Sequence, residues 1–272
     1  MAEQPILLNE SISAVGDIKI NAKYSRMYFD KENNVADGTH IHSCFEIYAN
    51  IEGDVSFLHD RDIYDIKQGD IVISHPAEVH YCIYRTSCMH EHFCIWFSDE
   101  AIGDFLIRRG IRGRIRPSAD NRDRVFALLR YVCSKNTDPF IRAANLMELI
   151  ALLDTGDKKE PRERSTDKMS AILGYIDEHL VEIGSIRDVA RAFFIAESTL
   201  YRMFHSELGI SFNKYIEAQR LALAERHLRA DRSVTEACFL SGFTDCSRFI
   251  TKFKNKFGST PFKYKKLLFK DN

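Results

Sequence analysis

Apolar and polar residues alternate with a period of two over 18–98 and recur at about 3.6 from 117 onward, so a strand-rich part precedes a helical one. In the first part, IKINAKYSRMYF, CFEIYANIEG, DVSFLHD, DIYDIKQG, DIVISH and HFCIWFS are short apolar runs punctuated by Gly, Asp and Asn. A compact antiparallel β-domain has this pattern. After Pro117, Val125, Leu128, Leu129 and Val132 form one helical stripe, and Ile141, Leu146, Leu149, Ile150 and Leu153 form another beyond the Pro139 break. Two helices are predicted to cover one face of the β-domain, and one of them is a candidate dimer contact. The charged stretch DTGDKKEPRERSTDK, 154–168, has no apolar period and reads as a linker.

From Asp167 the pattern is wholly helical, beginning with Ile172, Ile176 and Leu180. IRDVARAFFIAESTLYRMFHSELG predicts two short helices, with Val189, Ala190 and Phe193 inward on the first and Leu200, Met203 and Phe204 inward on the second. A long helix follows, with Ile216, Leu221, Ala224 and Leu228 on its stripe. A second pair then comes from 233–266: Ala237, Phe239 and Leu240 mark a short helix, Gly242 breaks it, and Phe249, Ile250, Phe253 and Phe257 recur at helical spacing. The two pairs overlay, Ala190 on Cys238, Leu200 on Phe249, Phe204 on Phe253 and Gly209 on Gly258, which makes an internal repeat. Outside the last apolar stripe stand Ser247, Arg248, Thr251, Lys252, Lys254 and Lys256, a polar and mostly basic face suited to an anionic partner.

Charge sharpens this division. The whole chain carries a formal net charge of −1, but 167–272 holds 17 Lys+Arg against 13 Asp+Glu and the first 166 residues hold 21 against 26. Positive potential therefore gathers at the helical end. The apolar fraction of 45% excludes wholesale disorder. No apolar run approaches the roughly 18 to 20 residues of a membrane helix, and MAEQPILLNE lacks a signal-peptide pattern, so a cytoplasmic protein without membrane partners is expected. The seven cysteines include no CxxC and mostly sit in apolar runs, as reduced thiols do.

One cluster interrupts the strand pattern. In GTHIHSCFEIYANIEG, His40, His42 and Glu46 fall at even spacing and can share one face, and GDIVISHPAEVHY brings His80 shortly after Pro76. Imidazole with carboxylate suits Zn, Fe, Mn or Ni, and the same residues suit the wall of a small-molecule pocket. Both readings stand. A second alternating pair, His90 and His92, reads as ordinary barrel-face residues.

The spacing His40-x-His42-x3-Glu46-x6-Gly53, followed by Gly69-Asp70 and Pro76-x3-His80, resembles the two halves of the cupin motif. That resemblance implies a small barrel in which His40, His42, Glu46 and His80 bind an effector or, alternatively, a divalent metal. Its second half departs from the enzymatic pattern, with a shorter Pro-to-His gap and Glu78 where glycine is usual; this form resembles the sensor domains of regulators. Gly242-Phe243, Phe249, Phe253-Lys254, Phe257-Gly258 and Thr260-Pro261-x2-Tyr264-Lys265 resemble the AraC/XylS family of transcription regulators over about the last 100 residues.

Together these resemblances imply an α+β chain. A cupin-like effector-binding domain at 1–116 is followed by a helical dimerisation or packing segment at 117–153, a linker at 154–166 and a DNA-binding domain of two helix-turn-helix units at 167–272. Each second helix would enter a major groove of double-stranded DNA, with Ser198, Tyr201 and Arg202 reading from the first unit and Cys246, Ser247, Arg248 and Thr251 from the second. Lys252, Lys254, Lys256 and Lys265 would hold phosphates. The first unit departs from the family in having Phe194 in its turn and Ala196 at the cap position, whereas the second keeps Gly242 and offers Thr244 or Asp245 as a cap. The implied function is a homodimeric regulator, an activator working with RNA polymerase, responsive to a small molecule such as a sugar, and not an enzyme. Alternatives are a metal-dependent cupin enzyme fused to a DNA-binding domain and a regulator controlled by a protein partner.

Overall fold

The computed structural model describes residues 11–16, 18–31, 40–60, 62–135, 137–158 and 168–268. The N-terminal half contains the strands β1 (Ser11–Val15), β2 (Ile18–Phe29), β3 (Phe45–Glu52), β4 (Val55–His59), β5 (Asp62–Ile66), β6 (Ile71–Ser74), β7 (His80–Tyr84) and β8 (Cys88–Ser98). Helix α1 (Glu100–Arg109), strand β9 (Gly113–Arg116), helices α2 (Arg122–Val132) and α3 (Pro139–Asp154) and the short β10 (Asp157–Lys158) complete it. A seven-stranded sheet runs in the order β1-β2-β8-β3-β6-β9-β10, and a three-stranded sheet in the order β5-β4-β7. All the pairings are antiparallel.

Strand alternation sorts the side chains into two environments. On β3, Phe45, Ile47 and Ala49 join Phe93, Ile95 and Phe97 of β8 in a core with Leu106 of α1, Val125 and Leu129 of α2, and Leu146 and Leu153 of α3. The intervening residues Tyr48 and Cys94 instead meet Val55, Phe57, Tyr64 and Ile66 between the sheets. Helix α1 falls between the strands expected over 18–98 and the helices expected from 117, where no element was read. Its markers were present: Asp99 accepts from the Ile102 amide at 2.8 Å, and Gly110 ends the helix at φ 61°. The stripe expected on α3 is shifted, because Ile141 is exposed and Ala143 takes the buried position. Asp157 and Lys158, expected in a linker, pair with Arg116 and Ile115. Residues 159–166 of that linker lie outside the described residues.

The C-terminal half is helical: α4 (Lys168–His179), α5 (Ile186–Ala192), α6 (Glu197–Met203), α7 (Phe212–Arg229), α8 (Val234–Leu240), α9 (Cys246–Phe257) and α10 (Pro261–Leu268). The repeat read from the sequence is real in space, since Ala190 and Cys238, Leu200 and Phe249, and Phe204 and Phe253 are all buried at matching places. The core face of α8 differs from the expected one. Ala237 is buried as expected, but Phe239 and Leu240 are about half exposed, and Cys238 makes the contact in their place.

The two units are capped unequally. Asp245 accepts from the amides of Ser247 (2.8 Å) and Arg248 (3.1 Å) at the start of α9, and Ser233 and Glu236 form a capping box on α8. Ala196 offers α6 no side-chain cap, a deficit of about 1 kcal/mol relative to serine. The turn before α6 holds Phe194 at φ 52°, where the second turn has Gly242 at φ 84°. Gly242 is also sterically required, because a Cβ there would stand 3.0 Å from Val181 Cα and 2.8 Å from Arg220 Nε.

The halves share a core. Ile41, Leu58, Ile63, Val79, Tyr81 and Ile83 of the barrel belong to one apolar cluster with the helices of the C-terminal half. Helix α7, the link between the two helix-turn-helix units, makes the polar contacts of this junction: Gln219 donates to Asp60 O at 3.0 Å and Arg229 to Ser43 O at 3.0 Å.

Candidate functional site

Two sites follow from the fold, a cavity in the barrel and an exposed face on the repeat. The cavity, of about 460 Å³, opens between the two sheets. Its charged centre comes from β3 and β7. Glu46 Oε2 accepts from His42 Nε2 at 3.1 Å, from His80 Nε2 at 3.0 Å and from Trp96 Nε1 at 2.6 Å. Burial by itself would raise the Glu46 pKa, but the His80 charge and the bonds from His42 and His80 hold it well below the usual carboxylate range. For His80, burial favours the neutral ring, yet Glu46 outweighs it and raises the pKa. His80 Nδ1 lies 2.9 Å from Glu78 O, so an acceptor faces each ring nitrogen and the doubly protonated imidazolium satisfies both.

The four sequence-predicted residues do not all converge. Among the described residues, His42, Glu46 and His80 place their ligating atoms within 4.8 Å of one another. His40 stands at the exposed rim, tied to His80 by paired backbone bonds of 2.8 and 3.0 Å, with its ring 6.3 Å from the His80 ring. The close trio fits a divalent metal in chemistry, two imidazoles and a carboxylate, with the Glu78 carbonyl orienting His80.

His90 and His92, read from the sequence as ordinary barrel-face residues, line this cavity instead. His90 is held between Tyr48 Oη (2.9 Å, at Nε2) and Tyr84 Oη (2.8 Å, at Nδ1), and His92 stacks on it with ring centroids 4.3 Å apart. Burial pushes His90 down to about 4, and burial followed by the His90 charge pushes His92 down to about 3. Burial also raises Cys82 to about 12 and keeps the Cys94 thiol protonated. The imidazoles and thiols at this end of the cavity are therefore neutral at neutral pH, and Lys23 is the cation beside them. Trp96, Cys82 and Cys94 were not singled out as cavity residues, although the alternation His90, His92, Cys94, Trp96 marked one face of β8. Among the aromatic residues of the strands, Tyr48, Phe57, Tyr81 and Tyr84 line the cavity; Phe45 packs towards the helices and Tyr64 between the sheets.

On α9, Ser247, Arg248, Thr251 and Lys254 are exposed, and the Arg248 side chain is 82% accessible. Cys246 is half-buried, and Lys252, also half-buried, is paired with Glu217 of α7. On α6, Ser198, Tyr201 and Arg202 are exposed. Lys265 is otherwise engaged, donating to Asp231 O at 2.8 Å and Arg232 O at 3.0 Å at the end of α7. It ties α10 to the turn between α7 and α8. Arg220 of α7 donates to Ile183 O at 2.6 Å and Leu180 O at 3.0 Å, so α7 is tied to the segment before α5.

A ligand-binding barrel joined to a repeated helix-turn-helix defines a DNA-binding transcription regulator with a ligand-binding domain. The AraC-like ligand binding domain matches residues 25–166, just over half of the chain, and the helix-turn-helix domain matches 189–267. The chain belongs to the AraC family. The transcriptional activator RhaS of Escherichia coli O139:H28 is 28% identical over 116 residues, 42% of this chain and 42% of RhaS. RhaS of Enterobacter sp. strain 638 is 29% identical over 121 residues, 44% of each chain. The matched stretch thus spans less than half the length of these curated relatives. Among solved structures, the DNA-binding domain of AdpA in complex with a target DNA is 26% identical, covering 38% of this chain and 93% of that one, with a TM-score of 0.36. ToxT from Vibrio cholerae is 12% identical, covering 92% of this chain and 99% of that one, with a TM-score of 0.39. No helix among the described residues is long and apolar enough to cross a membrane.

Proposed function

We propose that the protein is a cytoplasmic transcription activator whose binding to double-stranded DNA is controlled by a small-molecule effector in the barrel cavity. The carrying observation is the buried Glu46 and His80 pair on a cavity whose wall is otherwise mostly rings, phenols and thiols, with Lys23 as a further cation. A buried charged pair contributes little to stability by itself, so its place on a cavity wall favours use by a ligand. A polyhydroxylated molecule such as a sugar suits this wall. Its hydroxyls would bond to Glu46, His42 and His80 while Phe57 and Tyr84 offer ring faces to its C–H groups. His40 would close the rim.

On the DNA side, Arg248 and Arg202 serve as base readers, Ser198, Tyr201, Cys246, Ser247 and Thr251 as their neighbours in the groove, and Lys252 and Lys254 as phosphate contacts. The exposure of Arg248 supports this assignment, and the Asp245 cap makes the second unit the better-formed reader. Activation would proceed through a homodimer contacting RNA polymerase. RhaS, named as an activator, supports that sign of regulation.

Selection of bound sequences from random DNA, with and without pooled metabolites, tests the reading. Enrichment of one site whose recovery changes with a metabolite fraction supports it; no enrichment in either condition rejects it. The trio His42, Glu46 and His80 favours one further reading, a metal-dependent activity in the barrel. Metal analysis of protein purified without chelator decides that: substoichiometric metal, with DNA binding intact after chelation, removes it.

A further inference from the structure

The junction between barrel and reader is built on three backbone carbonyls, each one step from the cavity's charged trio. Ser43, whose carbonyl takes the Arg229 bond, directly follows His42. Ala77 donates its amide to His42 O at 2.9 Å, and its carbonyl faces Arg226 Nη1 at 3.5 Å. Asp60, whose carbonyl takes the Gln219 bond, donates its amide to Val79 O at 2.6 Å, immediately before His80. Both Ala77 and Asp60 hold left-handed backbone, at φ 62° and 59°. A side chain at Ala77 gains nothing from that conformation. The conformation is maintained by contacts on either side of it, the His42 carbonyl on one and the α7 arginine on the other.

The carboxylate of Glu78 locks the same loop from within. It accepts from His59 Nε2 at 2.6 Å and from the His75 amide at 2.7 Å, and pairs with Arg112 at 2.5 Å, while its carbonyl holds His80 Nδ1. Displacing the backbone at His42 or next to His80 therefore moves the carbonyls that α7 grips. Helix α7 in turn links the two units and holds the segment before α5 through Arg220, so its seating bears on the spacing of α6 and α9.

We infer that the His42, Glu46 and His80 trio and the docking of α7 are thermodynamically coupled through the carbonyls of Ser43, Asp60 and Ala77, with Arg229, Gln219 and Arg226 as the residues that sense the loop. The two states are α7 docked on the barrel and α7 released from it; whatever rearranges the trio biases that equilibrium, and releasing α7 loosens the trio in return. The inference uses the proposed effector control as its setting, but its test needs neither effector nor DNA.

Hydrogen exchange and Trp96 emission on the full chain provide that test, Trp96 being the single tryptophan and bonded to Glu46. Glu46→Gln is expected to speed exchange of α7 amides several-fold while α2 and α3, on the far side of the sheet, keep wild-type rates. Gln219→Leu and Arg226→Ala, which alter only the α7 side, are expected to speed exchange over 40–46 and 76–80 and to shift Trp96 emission. Arg229 is left intact because it also neutralises buried Glu225. Wild-type exchange in α7 of Glu46→Gln, or unchanged Trp96 emission and loop exchange in both α7 variants, overturns the coupling. Uniformly faster exchange, α2 and α3 included, also overturns it by reducing the effect to general destabilisation. Each of these outcomes leaves the DNA-selection result untouched, so failure of the coupling is distinguishable from failure of the regulator reading.

Discussion

Trp96 donates its indole N–H to Glu46 Oε2 over 2.6 Å, and the two residues sit directly opposite on β8 and β3. Their side chains share the cavity face, which alternation assigns to every second residue of both strands. The only tryptophan of the chain is thus bonded to the carboxylate at the cavity's charged centre. A ligand that donates hydrogen bonds to Glu46 must change the surroundings of that indole. Effector binding is expected to shift the emission of the intact protein, and Glu46→Gln to weaken the effector at least tenfold with the shift reduced. Fluorescence titration checks both.

Arg248 and Lys254 separate base reading from phosphate contact. Arg248→Ala is expected to weaken the selected site by about 1–3 kcal/mol and relax preference at one base position. Lys254→Ala should weaken all sequences alike and lower the salt slope by about 1. Binding measured on specific and scrambled duplexes at several salt concentrations tells the two apart. Equal affinity of Arg248→Ala and wild type on the selected duplex rejects the placement of α9.

The first helix-turn-helix lacks a cap and carries a strained turn. Ala196→Ser is expected to stabilise α6 by about 1 kcal/mol. Phe194→Gly should gain of order 1 kcal/mol by relieving the left-handed backbone at φ 52°, less the entropy glycine loses on folding. Phe194 is 96% exposed, so little packing is lost with its ring. Denaturant unfolding of each variant measures these changes.

Tyr264 and Glu225 form the joint between α10 and α7. The Tyr264 hydroxyl donates to Glu225 Oε1 at 2.6 Å, and Arg229 pairs with the same oxygen at 2.5 Å. Glu225 is wholly buried. Tyr264→Phe should cost about 1–3 kcal/mol, because a buried carboxylate loses one of its donors. Glu225→Gln leaves Arg229 without its charge partner and is expected to cost more. Equilibrium unfolding orders the two.

His90 and His92 set an acid limit on the barrel. Both ionise near 6.5 in an unfolded chain, but burial brings them down to about 4 and about 3 in the fold. Between those values and 6.5 the unfolded chain binds more protons, so stability falls as pH falls through that window. His92→Asn is expected to flatten this acid limb. Thermal melts at a series of pH values follow it.

Local chemistry made much of the architecture legible. The period of two in β3 and β8, the period of 3.6 in α2 and α7, and Gly242 as a breaker each act over a few neighbouring residues, and each appears where it was read. Asp245 was recognisable as a cap for the same reason. Helix α1 was missed despite Asp99 and Gly110, because ten residues between strands give a short apolar stripe. For α3, a helical period left two rotations open, and packing against the sheet buried Ala143 and left Ile141 outside.

The sequence by itself determined the repeat, the basic face of α9 and the even spacing that joins His42 to Glu46, since spacing along one element fixes which side chains share a face. Tertiary structure alone decided that His80 joins them while His40 stays at the rim, and that His90, His92 and Trp96 complete the cavity. It also decided that Lys265 bonds to the turn after α7 instead of facing outward, and that α7 docks on Ser43, Asp60 and Ala77. Those relationships depend on strand register and on contacts between residues as far as 186 positions apart, and no local period encodes them.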